Sequence, residues 1–392
     1  MNVAIVDFGA NYYHTHHKAL IESYAKFLME FGLKVQIYIP KNSKIDFPNI
    51  ETRKNLFSIY HHQSLHIKKK STYTEAIFGY IQRILSDTNK NNLFFKCLRY
   101  FLLLNYKHRS IKKMRVIQSE NKILFFPTAC PVTLKAISAL SQNSADTLFL
   151  VRLTNTVENL KIFSGILPNI ISKDLSSNLK NIRIGYETEE YKNYLTNLGA
   201  EISMYHTPTP PQKRCKTSEN IFLNLDKGLK VAFLGTPQNH KGIENLEYIV
   251  KKASENKDKN IKWIIQSKNY DLRDSKNIRY IKGYISDDLM DSIISDVDCL
   301  CLPYQPEFYK MNASAMAYRI LDLKKTLITL EGSAFANELK KFDSAIVVKT
   351  IPEFASELYN LNTHILEQFK HNIENYNRYR YTCNTAFFKG II

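Results

Sequence analysis

Apolar residues near the start of the chain follow two different spacings. Val3–Asp7 is a short apolar run that predicts a buried strand, and Lys18–Phe31 has apolar residues three and four positions apart, as on one face of a helix. Gly32 is expected to end that helix, and Val35–Ile39 predicts the next strand. A strand, a helix and a second strand in this order are typical of a parallel sheet.

The strand–helix pattern continues and then restarts after a proline-rich segment. The further strands predicted in the first half are Ile123–Phe126, Thr147–Leu153, Ile182–Tyr186 and Glu201–Tyr205. The alternation begins again at Leu229 and runs to Val348. We therefore expect an α/β protein of two Rossmann-like domains, residues 1–210 and 211–373, joined by a hinge at Thr207–Lys216. Ligands of such sheets bind at the carboxyl ends of the strands, so a cleft that both domains face is the expected site.

The chain is strongly basic. Its 392 residues have a formal net charge of +17 and a pI near 9.3. A charge of this size favours a polyanionic partner, namely nucleic acid, an anionic membrane surface or phosphorylated substrates. An AT-rich genome, which enriches Lys, Asn and Ile, is the alternative explanation.

Neither a leader peptide nor a membrane span is predicted. The chain starts directly with a strand, and its apolar runs are far shorter than the ~20 residues that cross a bilayer. The six cysteines are scattered, and Cys299 and Cys301 lie in an apolar run that suits buried thiols in a reducing compartment. These features predict a cytoplasmic protein.

The second half contains a turn suited to phosphate binding. The predicted strand Leu229–Leu234 is followed by Gly235, and Lys241 directly precedes a predicted helix at Gly242–Glu255. Glycine lets a ligand approach the backbone closely, and a helix N-terminus beside a lysine offers positive charge. The alternative is an ordinary solvated lysine in the first helical turn.

Further motifs follow in a fixed order. They are Gly283-Tyr284-Ile285, Asp298 with the run Cys-Leu-Cys-Leu-Pro-Tyr304, Ser314-Ala315, and Lys324-Lys325-Thr326 with Leu-Ile. With the Gly235–Gly242 turn, they resemble the donor domain of family-4-like GT-B glycosyltransferases of bacterial cell-surface polysaccharide biosynthesis. The family pattern runs Gly-Arg…Lys-Gly, Gly-apolar…Leu, Asp-apolar-Leu-Pro-Tyr, Ser-Gly…Glu-Ala and Gly-Lys-Pro-Val-Ile. The resemblance covers roughly Leu229–Ile351.

This resemblance implies a hexosyltransferase. It implies a GT-B fold in which the second domain binds a nucleoside diphosphate sugar and the first binds a lipid-linked or lipopolysaccharide- or capsule-type acceptor. It implies retention of anomeric configuration, no metal and no other cofactor, and a final helix within residues 374–392 that crosses back to the first domain. Nucleic acid is not an expected partner, because it would explain the charge but not the ordered motifs.

The resemblance also assigns roles to residues of the second half. Lys241 would hold the donor pyrophosphate, Ser314 would cap it at a helix start, and the turn of Gly283 and Tyr284 would meet the base. Tyr304 and Tyr309 would line the sugar pocket, although packing at a domain edge explains them equally well. The expected donor-binding set is Gly235, Thr236, Lys241, Gly283, Tyr284, Tyr304, Glu307, Tyr309, Ser314 and Arg319.

Several positions depart from the family pattern. Thr236 stands where the family has an arginine, Ala315 where it has a glycine, and Arg319 where a glutamate grips the ribose. The Gly-Lys-Pro motif is replaced by Lys324–Thr326. These departures support a rival hypothesis, in which the chain is a catalytically silent GT-B module that acts as a partner or scaffold.

Two candidate groups lie in the first half. Tyr12–His17 follows the first strand, so His14 and His17 are candidates for binding the acceptor or accepting a proton. A solvated loop and a zinc site are the alternatives for these histidines. Arg152 ends a predicted strand, where it would reach a phosphate or an acidic acceptor, or else form a salt bridge at the edge of the sheet.

Two further segments have alternative interpretations. Asp296 and Asp298 have the Asp-x-Asp spacing of a metal site, but they precede a strand, where a helix-to-strand loop is expected. Phe94–Arg115 has seven Lys and Arg residues and no acid. A basic helix with aromatic residues favours peripheral binding to the inner face of an anionic membrane, and ordinary packing on the sheet is the alternative.

Overall fold

A computed structural model describes most of the chain as two compact units. The described residues are 1–10, 16–56, 93–129, 131–154, 180–200, 202–214, 228–235, 238–255, 260–267, 274–283 and 285–392. Unit 1 comprises Met1–Thr207 and Thr385–Ile392, and unit 2 comprises Pro208–Asn384. The sequence-based boundaries were residues 210 and 373, so residues 374–384 of the expected crossing helix lie in unit 2.

The described strands of unit 1 form a seven-stranded parallel sheet in the order β3-β2-β1-β4-β5-β6-β7. The strands are β1 (Asn2–Val6), β2 (Lys34–Pro40), β3 (Glu51–Leu56), β4 (Ile123–Ala129), β5 (Leu148–Leu153), β6 (Ile182–Tyr186) and β7 (Met204–His206). The helices are α1 (His16–Glu30), α2 (Leu93–Glu120), α3 (Pro131–Ser141) and α4 (Glu189–Asn197).

The described strands of unit 2 form a six-stranded parallel sheet in the order β10-β9-β8-β11-β12-β13. The strands are β8 (Leu229–Phe233), β9 (Ile261–Ser267), β10 (Ile278–Lys282), β11 (Cys299–Leu302), β12 (Thr326–Leu330) and β13 (Ile346–Val348). The helices are α5 (Ile243–Glu255), α6 (Asp287–Asp296), α7 (Ala315–Asp322), α8 (Ala334–Lys341), α9 (Ile351–Asn360) and α10 (Thr363–Phe387), and 3₁₀ turns occur at Asn239–Lys241 and Pro306–Phe308.

The prediction of two Rossmann-like parallel-sheet domains is confirmed. Strand β9 shows the reason, since all seven of its residues are buried, as expected where helices cover both faces of a parallel sheet. Strand β3 was not predicted, because its sequence Glu-Thr-Arg-Lys-Asn-Leu is polar and it pairs at the edge of the sheet.

Both sheets reverse their strand order once. In unit 1 the chain moves outward from β1 to β3 and then returns to place β4 on the other side of β1. In unit 2 it moves outward from β8 to β10 and then places β11 on the other side of β8. The crevice outside the carboxyl ends of the strands at such a switch point is the usual ligand site of an open α/β sheet.

Residues Thr385–Ile392, which follow unit 2 in the chain, belong to unit 1 and complete its core. Phe387 and Phe388 are fully buried there, together with Tyr24 and Phe125. The ring centroids of Phe125 and Phe388 lie 5.2 Å apart in an edge-on arrangement. Arg183 of β6 donates hydrogen bonds to the backbone carbonyls of this segment, so it is tied to the sheet by polar contacts as well.

The first residues of unit 2 are hydrogen-bonded to its last helix, α10. Arg380 of α10 donates from Nε to the carbonyl of Thr209 at 2.9 Å, and Asn384 donates to the carbonyl of Pro208 at 2.8 Å. Arg380 also pairs with Asp322 at 2.9 Å. The segment that begins unit 2 is therefore fixed to the helix that ends it.

Candidate functional site

The switch point of unit 2 is built around two glycines in left-handed conformations. Gly235 lies two residues after the end of β8 and has φ +105°, and a Cβ atom at this position would lie 3.1 Å from Nζ of Lys241. Gly242 has φ +72°, and a Cβ atom there would lie 1.8 Å from the carbonyl oxygen of Pro303, a backbone atom that follows β11. Any side chain at Gly242 would displace this loop. The two glycines thus allow Lys241 to lie over the turn after β8.

The sequence pattern predicted that Lys241 directly precedes a helix, and this prediction is wrong by one residue. It ends the 3₁₀ turn Asn239–Lys241, and α5 begins only at Ile243. The difference arises because Gly242 adopts φ +72°, which the right-handed helix does not allow. The amide of Gln305 donates to the carbonyl of His240 at 3.0 Å, so this loop is held against the end of β11.

Gln266 joins two of the predicted turns and was missed by the sequence analysis. Its Oε1 accepts from the amide of Gly235 at 2.7 Å, and its Nε2 donates to the carbonyl of Gly283 at 2.8 Å. The side chain is buried at the carboxyl end of β9. Its one sequence signal is a polar residue directly after the apolar run Trp263–Ile265.

Ser314 and Tyr304 lie at the start of α7. Ser314 is the N-cap residue, and its Oγ accepts from the amide of Ala317 at 3.2 Å. The side chain of Tyr304, which follows β11, lies near this hydroxyl. Burial raises the pKa of Tyr304 well above its usual range, with a further rise from nearby Tyr309, so the phenol is neutral at physiological pH.

The aromatic residues around Tyr304 divide into buried and accessible ones. Tyr304 is 2% exposed and stacks on Tyr309 at 4.9 Å between centroids, and Tyr309 meets Phe335 edge-on at 5.8 Å. The burial of Tyr304 therefore favours packing over a place in the lining of a sugar pocket. Phe308, by contrast, is 53% exposed and lies 5.5 Å from the ring of His240. These two rings form an accessible aromatic surface beside Lys241, and neither was predicted from the sequence as a site residue.

Arg319 lies where the family glutamate would be, and its guanidinium is committed to helix α6. Its Nε donates to Asp291 at 2.5 Å, and another nitrogen donates to Asp287 Oδ1 at 2.6 Å. A third donor reaches the backbone carbonyl of Asp287. Arg319 therefore stabilises the contact between α6 and α7, which leaves few donors for a ribose or a phosphate.

The remaining donor-site candidates are spread out. Glu307 is exposed in the 3₁₀ turn Pro306–Phe308, and no described contact joins it to Lys241 or Ser314. Thr236 and Tyr284 lie outside the described residues.

Asp296 and Asp298 lie at the opposite edge of the sheet. The carboxylate of Asp298 accepts from the backbone amide of Lys230 at 2.8 Å, and Asp296 pairs with the Lys230 ammonium at 3.2 Å. Asp296 and Asp298 thus belong to the helix-to-strand connection at the amino end of β11. Within the described part of the chain, no cluster of three or more His, Cys, Asp or Glu residues is suited to a metal ion.

In unit 1, His17 forms a buried pair with Asp7. His17 Nδ1 lies 2.9 Å from Asp7 Oδ2, and the Asp7 carboxylate also accepts from the amide of Gly9 at 2.7 Å and from Thr128 Oγ1 at 2.9 Å. Burial alone would raise the pKa of Asp7, but the attraction and hydrogen bond of His17, with those of Gly9 and Thr128, lower it overall. The other candidate histidine, His14, lies outside the described residues.

Arg152 adopts the salt-bridged arrangement. Its guanidinium pairs with Glu187 at 2.6 Å and donates from Nε to the carbonyl of Thr207 at 2.7 Å. A third hydrogen bond goes to the carbonyl of Pro127, and the side chain is fully buried. Because Arg152 is enclosed by protein groups of unit 1, the structure favours a structural arginine over a ligand-binding one.

The chain has the GT-B fold. It aligns over 99% of its length with 98% of a UDP-forming α,α-trehalose-phosphate synthase from Burkholderia xenovorans, with a TM-score of 0.64 and 9% identity. It aligns over 97% of its length with 95% of a sucrose-phosphate synthase from Thermosynechococcus elongatus, with a TM-score of 0.59 and 9% identity.

A third similar structure contains a sugar nucleotide. It is the Escherichia coli trehalose-6-phosphate structure bound with UDP-2-fluoro glucose, matched over 100% of both chains with a TM-score of 0.62 and 12% identity. No protein-family model and no curated protein sequence matches the chain. At these identities, the similarity establishes the fold.

Proposed function

We propose that the chain is a glycosyltransferase that moves a hexose-type sugar from a nucleoside diphosphate sugar to a lipid-linked or lipopolysaccharide- or capsule-type acceptor. The supporting observation is the arrangement at the switch point of unit 2, where Lys241 lies over the Gly235 turn. The bound UDP-2-fluoro glucose of the Escherichia coli structure is a ligand of this class. Retention of configuration follows from the family resemblance.

The donor diphosphate would be bound by fixed positive charge. The ammonium of Lys241 and the free amides at the N-terminus of α7 supply it, and both favour an anion. Such preorganised charge stabilises the diphosphate as it leaves the sugar. We therefore propose that the reaction uses no metal and no other cofactor. His240 and Phe308 would provide an aromatic surface beside the phosphates.

The proposed acceptor site is in unit 1, and the proposed location is the inner face of a membrane. Helix α2 supports the membrane location through its exposed basic residues Lys112, Lys113 and Arg115. The inward packing of Met114 and Ile117 is what the alternative, ordinary packing on the sheet, also predicts. An exposed Lys or Arg near an anionic surface contributes about 1 kcal/mol to binding. Among the described residues, no helix is long and apolar enough to cross a bilayer.

Calorimetry with UDP and GDP tests the donor site. Lys241→Ala should weaken nucleoside diphosphate affinity by roughly 1.5–3 kcal/mol, the size of a hydrogen bond to a charged group. Lys252→Ala is the control, since Lys252 pairs with Glu255 on the surface of α5 and should not affect affinity. Equal affinities for the Lys241 variant and the unmodified protein would contradict the proposed donor site.

A catalytically silent module is the second candidate function. It is favoured by Arg319, which takes the place of the ribose-binding glutamate and is occupied by Asp287 and Asp291. This alternative predicts that neither UDP nor GDP binds, and that no common sugar nucleotide is hydrolysed or transferred. Binding of either nucleotide that depends on Lys241 would exclude it.

A further inference from the structure

Gln266 lies on the middle one of three neighbouring strands. Strand β9 pairs with β8 on one side and β10 on the other, so the Gly235 turn and the Gly283 turn flank its carboxyl end. Neighbouring strands are about 4.8 Å apart, so roughly 10 Å of sheet separates the two strands that carry these turns. The main-chain pairing of β8 with β9 ends at Phe233 and Ile265. Beyond that pair, the Gln266 side chain supplies the bond to Gly235.

The two hydrogen bonds of Gln266 need an acceptor and a donor at the end of one side chain. The backbone amide of Gly235 can only donate and the carbonyl of Gly283 can only accept, so these partners fix the orientation of the carboxamide. An ionised glutamate at this position could accept from Gly235 but could not donate to Gly283. Gln266 is 3% exposed and Gly235 is buried, so water has little access to the bond between them.

Both residues bonded by Gln266 are glycines with positive φ. Gly235 has φ +105° and Gly283 has φ +79°. Glycine has more conformational freedom than other residues, so turns of this kind need contacts from elsewhere to keep one shape. The amide of Gly283 also donates to the carbonyl of Ser267 at 3.0 Å, so β9 holds this turn at two points. A site whose parts are held before the ligand arrives loses less free energy to ordering when it binds.

We propose that Gln266 is a positioning residue that holds the Gly235 turn and the Gly283 turn at a fixed separation, so that together they bind the phosphate and nucleoside parts of one donor molecule. The proposal rests on the proposed function, which takes a nucleoside diphosphate as the ligand of these turns. None of the family motifs includes this position. Gln266 acts through the backbone of the two glycines and need not touch the ligand.

Replacing the carboxamide by a titratable group of the same shape tests the proposal. In Gln266→Glu, the protonated carboxyl group can make both bonds, whereas the carboxylate can only accept. Burial should raise the pKa of this carboxyl group above the ordinary value of about 4.3, so both forms should be reached between about pH 5 and about pH 8. Calorimetry should show UDP affinity close to that of the unmodified protein at the acid end, and about tenfold weaker at the other end. The unmodified protein, measured at each pH, accounts for the titration of UDP itself.

Gln266→Met separates the hydrogen bonds from the added charge. Methionine has a similar volume but makes neither bond, so UDP should bind about tenfold more weakly at every pH, and more weakly than to protonated Gln266→Glu. Lys262→Met is the matched control, because Lys262 lies near the opposite end of β9 and donates to Asn277 Oδ1 at 2.8 Å. It should lower the melting temperature without changing UDP affinity. An equal loss of affinity in this control would show that stability alone is responsible.

The outcomes separate this proposal from the proposed function. If the unmodified protein binds neither UDP nor GDP, the proposed function fails, and the role of Gln266 fails with it. If UDP binds equally to the unmodified protein and to Gln266→Met, the role of Gln266 is wrong while the donor site stands. If Gln266→Met does not fold, Gln266→Glu decides the question. A difference from the unmodified protein that grows with pH supports the role, and equal affinity at every pH overturns it.

Discussion

Lys324 has a backbone conformation that suits glycine. Its φ is +55°, in the turn after α7, at the position where the family pattern has the glycine of Gly-Lys-Pro. A side chain in this left-handed region costs roughly 1–2 kcal/mol through the contact of Cβ with the carbonyl oxygen. Lys325, the next residue, is not among the positive-φ residues. The chain thus keeps the turn of the family although it lacks the glycine.

Lys324→Gly should therefore be neutral or stabilising by up to about 1 kcal/mol, because relief of strain offsets the greater entropy of unfolded glycine. Its exposed pair with Glu374 is lost, with little effect. Lys325→Gly is the matched control and should destabilise by about 0.5–1 kcal/mol. Urea denaturation of both variants tests this. Equal losses would show that the turn is not strained.

Arg319 offers a second test at the scale of single residues. Arg319→Met should lower the free energy of unfolding by about 1–3 kcal/mol, because Asp291, in a largely buried site, loses one of its two arginine partners and keeps only Arg214. UDP affinity should change little, since the guanidinium binds α6. Thermal unfolding and calorimetry measure the two effects. A large loss of affinity with unchanged stability would show instead that Arg319 contacts the phosphates.

Helices α7 and α8 are nearly identical as elements but differ in what meets their first turn. Both have eight residues and a buried serine as N-cap, Ser314 in α7 and Ser333 in α8. At α8, however, the amide of Ala334 already donates to the carbonyl of Tyr309 at 2.9 Å. Of these two helices, only α7 is then expected to present its first backbone amides to a diphosphate.

Substituting each serine by alanine separates capping from binding. Ser314→Ala and Ser333→Ala should each cost about 1 kcal/mol of stability, the usual effect of a lost N-cap. Only Ser314→Ala should also weaken UDP binding, which calorimetry measures. If both variants bind UDP as the unmodified protein does, the start of α7 is not part of the donor site.

At the scale of elements, local patterns predicted the strands but not their polar partners. Strands such as β9 contain short apolar runs, here Trp263–Ile265, so burial on both faces is visible in the sequence. Gln266 was missed because its role depends on two turns that only the folded sheet brings together. The partner of Arg152 was missed for the same reason, since Glu187 is distant in sequence. Contacts between residues that are distant in the sequence leave no sign in the local spacing of apolar residues.

At the scale of the whole molecule, the net charge of +17 supports the proposed membrane partner. Replacing Lys112, Lys113 and Arg115 by Gln should reduce co-sedimentation with anionic vesicles, and salt should weaken the binding, because charges are screened beyond about 10 Å at 0.1 M. The control replaces Lys34, Lys41 and Lys44, three other exposed lysines of unit 1, and should bind as before. Binding that is insensitive to both salt and the α2 substitutions would contradict the proposal.

The core of unit 1 has a consequence for synthesis on the ribosome. Phe387 and Phe388 fill that core beside Tyr24 and Phe125, yet they are translated only after residues 208–384. At about 5–20 residues per second, this delay is on the order of ten seconds or more. Unit 1 therefore lacks two of its core aromatic residues throughout this time, and unit 2, which ends at Asn384, is itself complete only three residues before Phe387. A stalled chain that ends before residue 385 should expose the apolar gap and be held by chaperones.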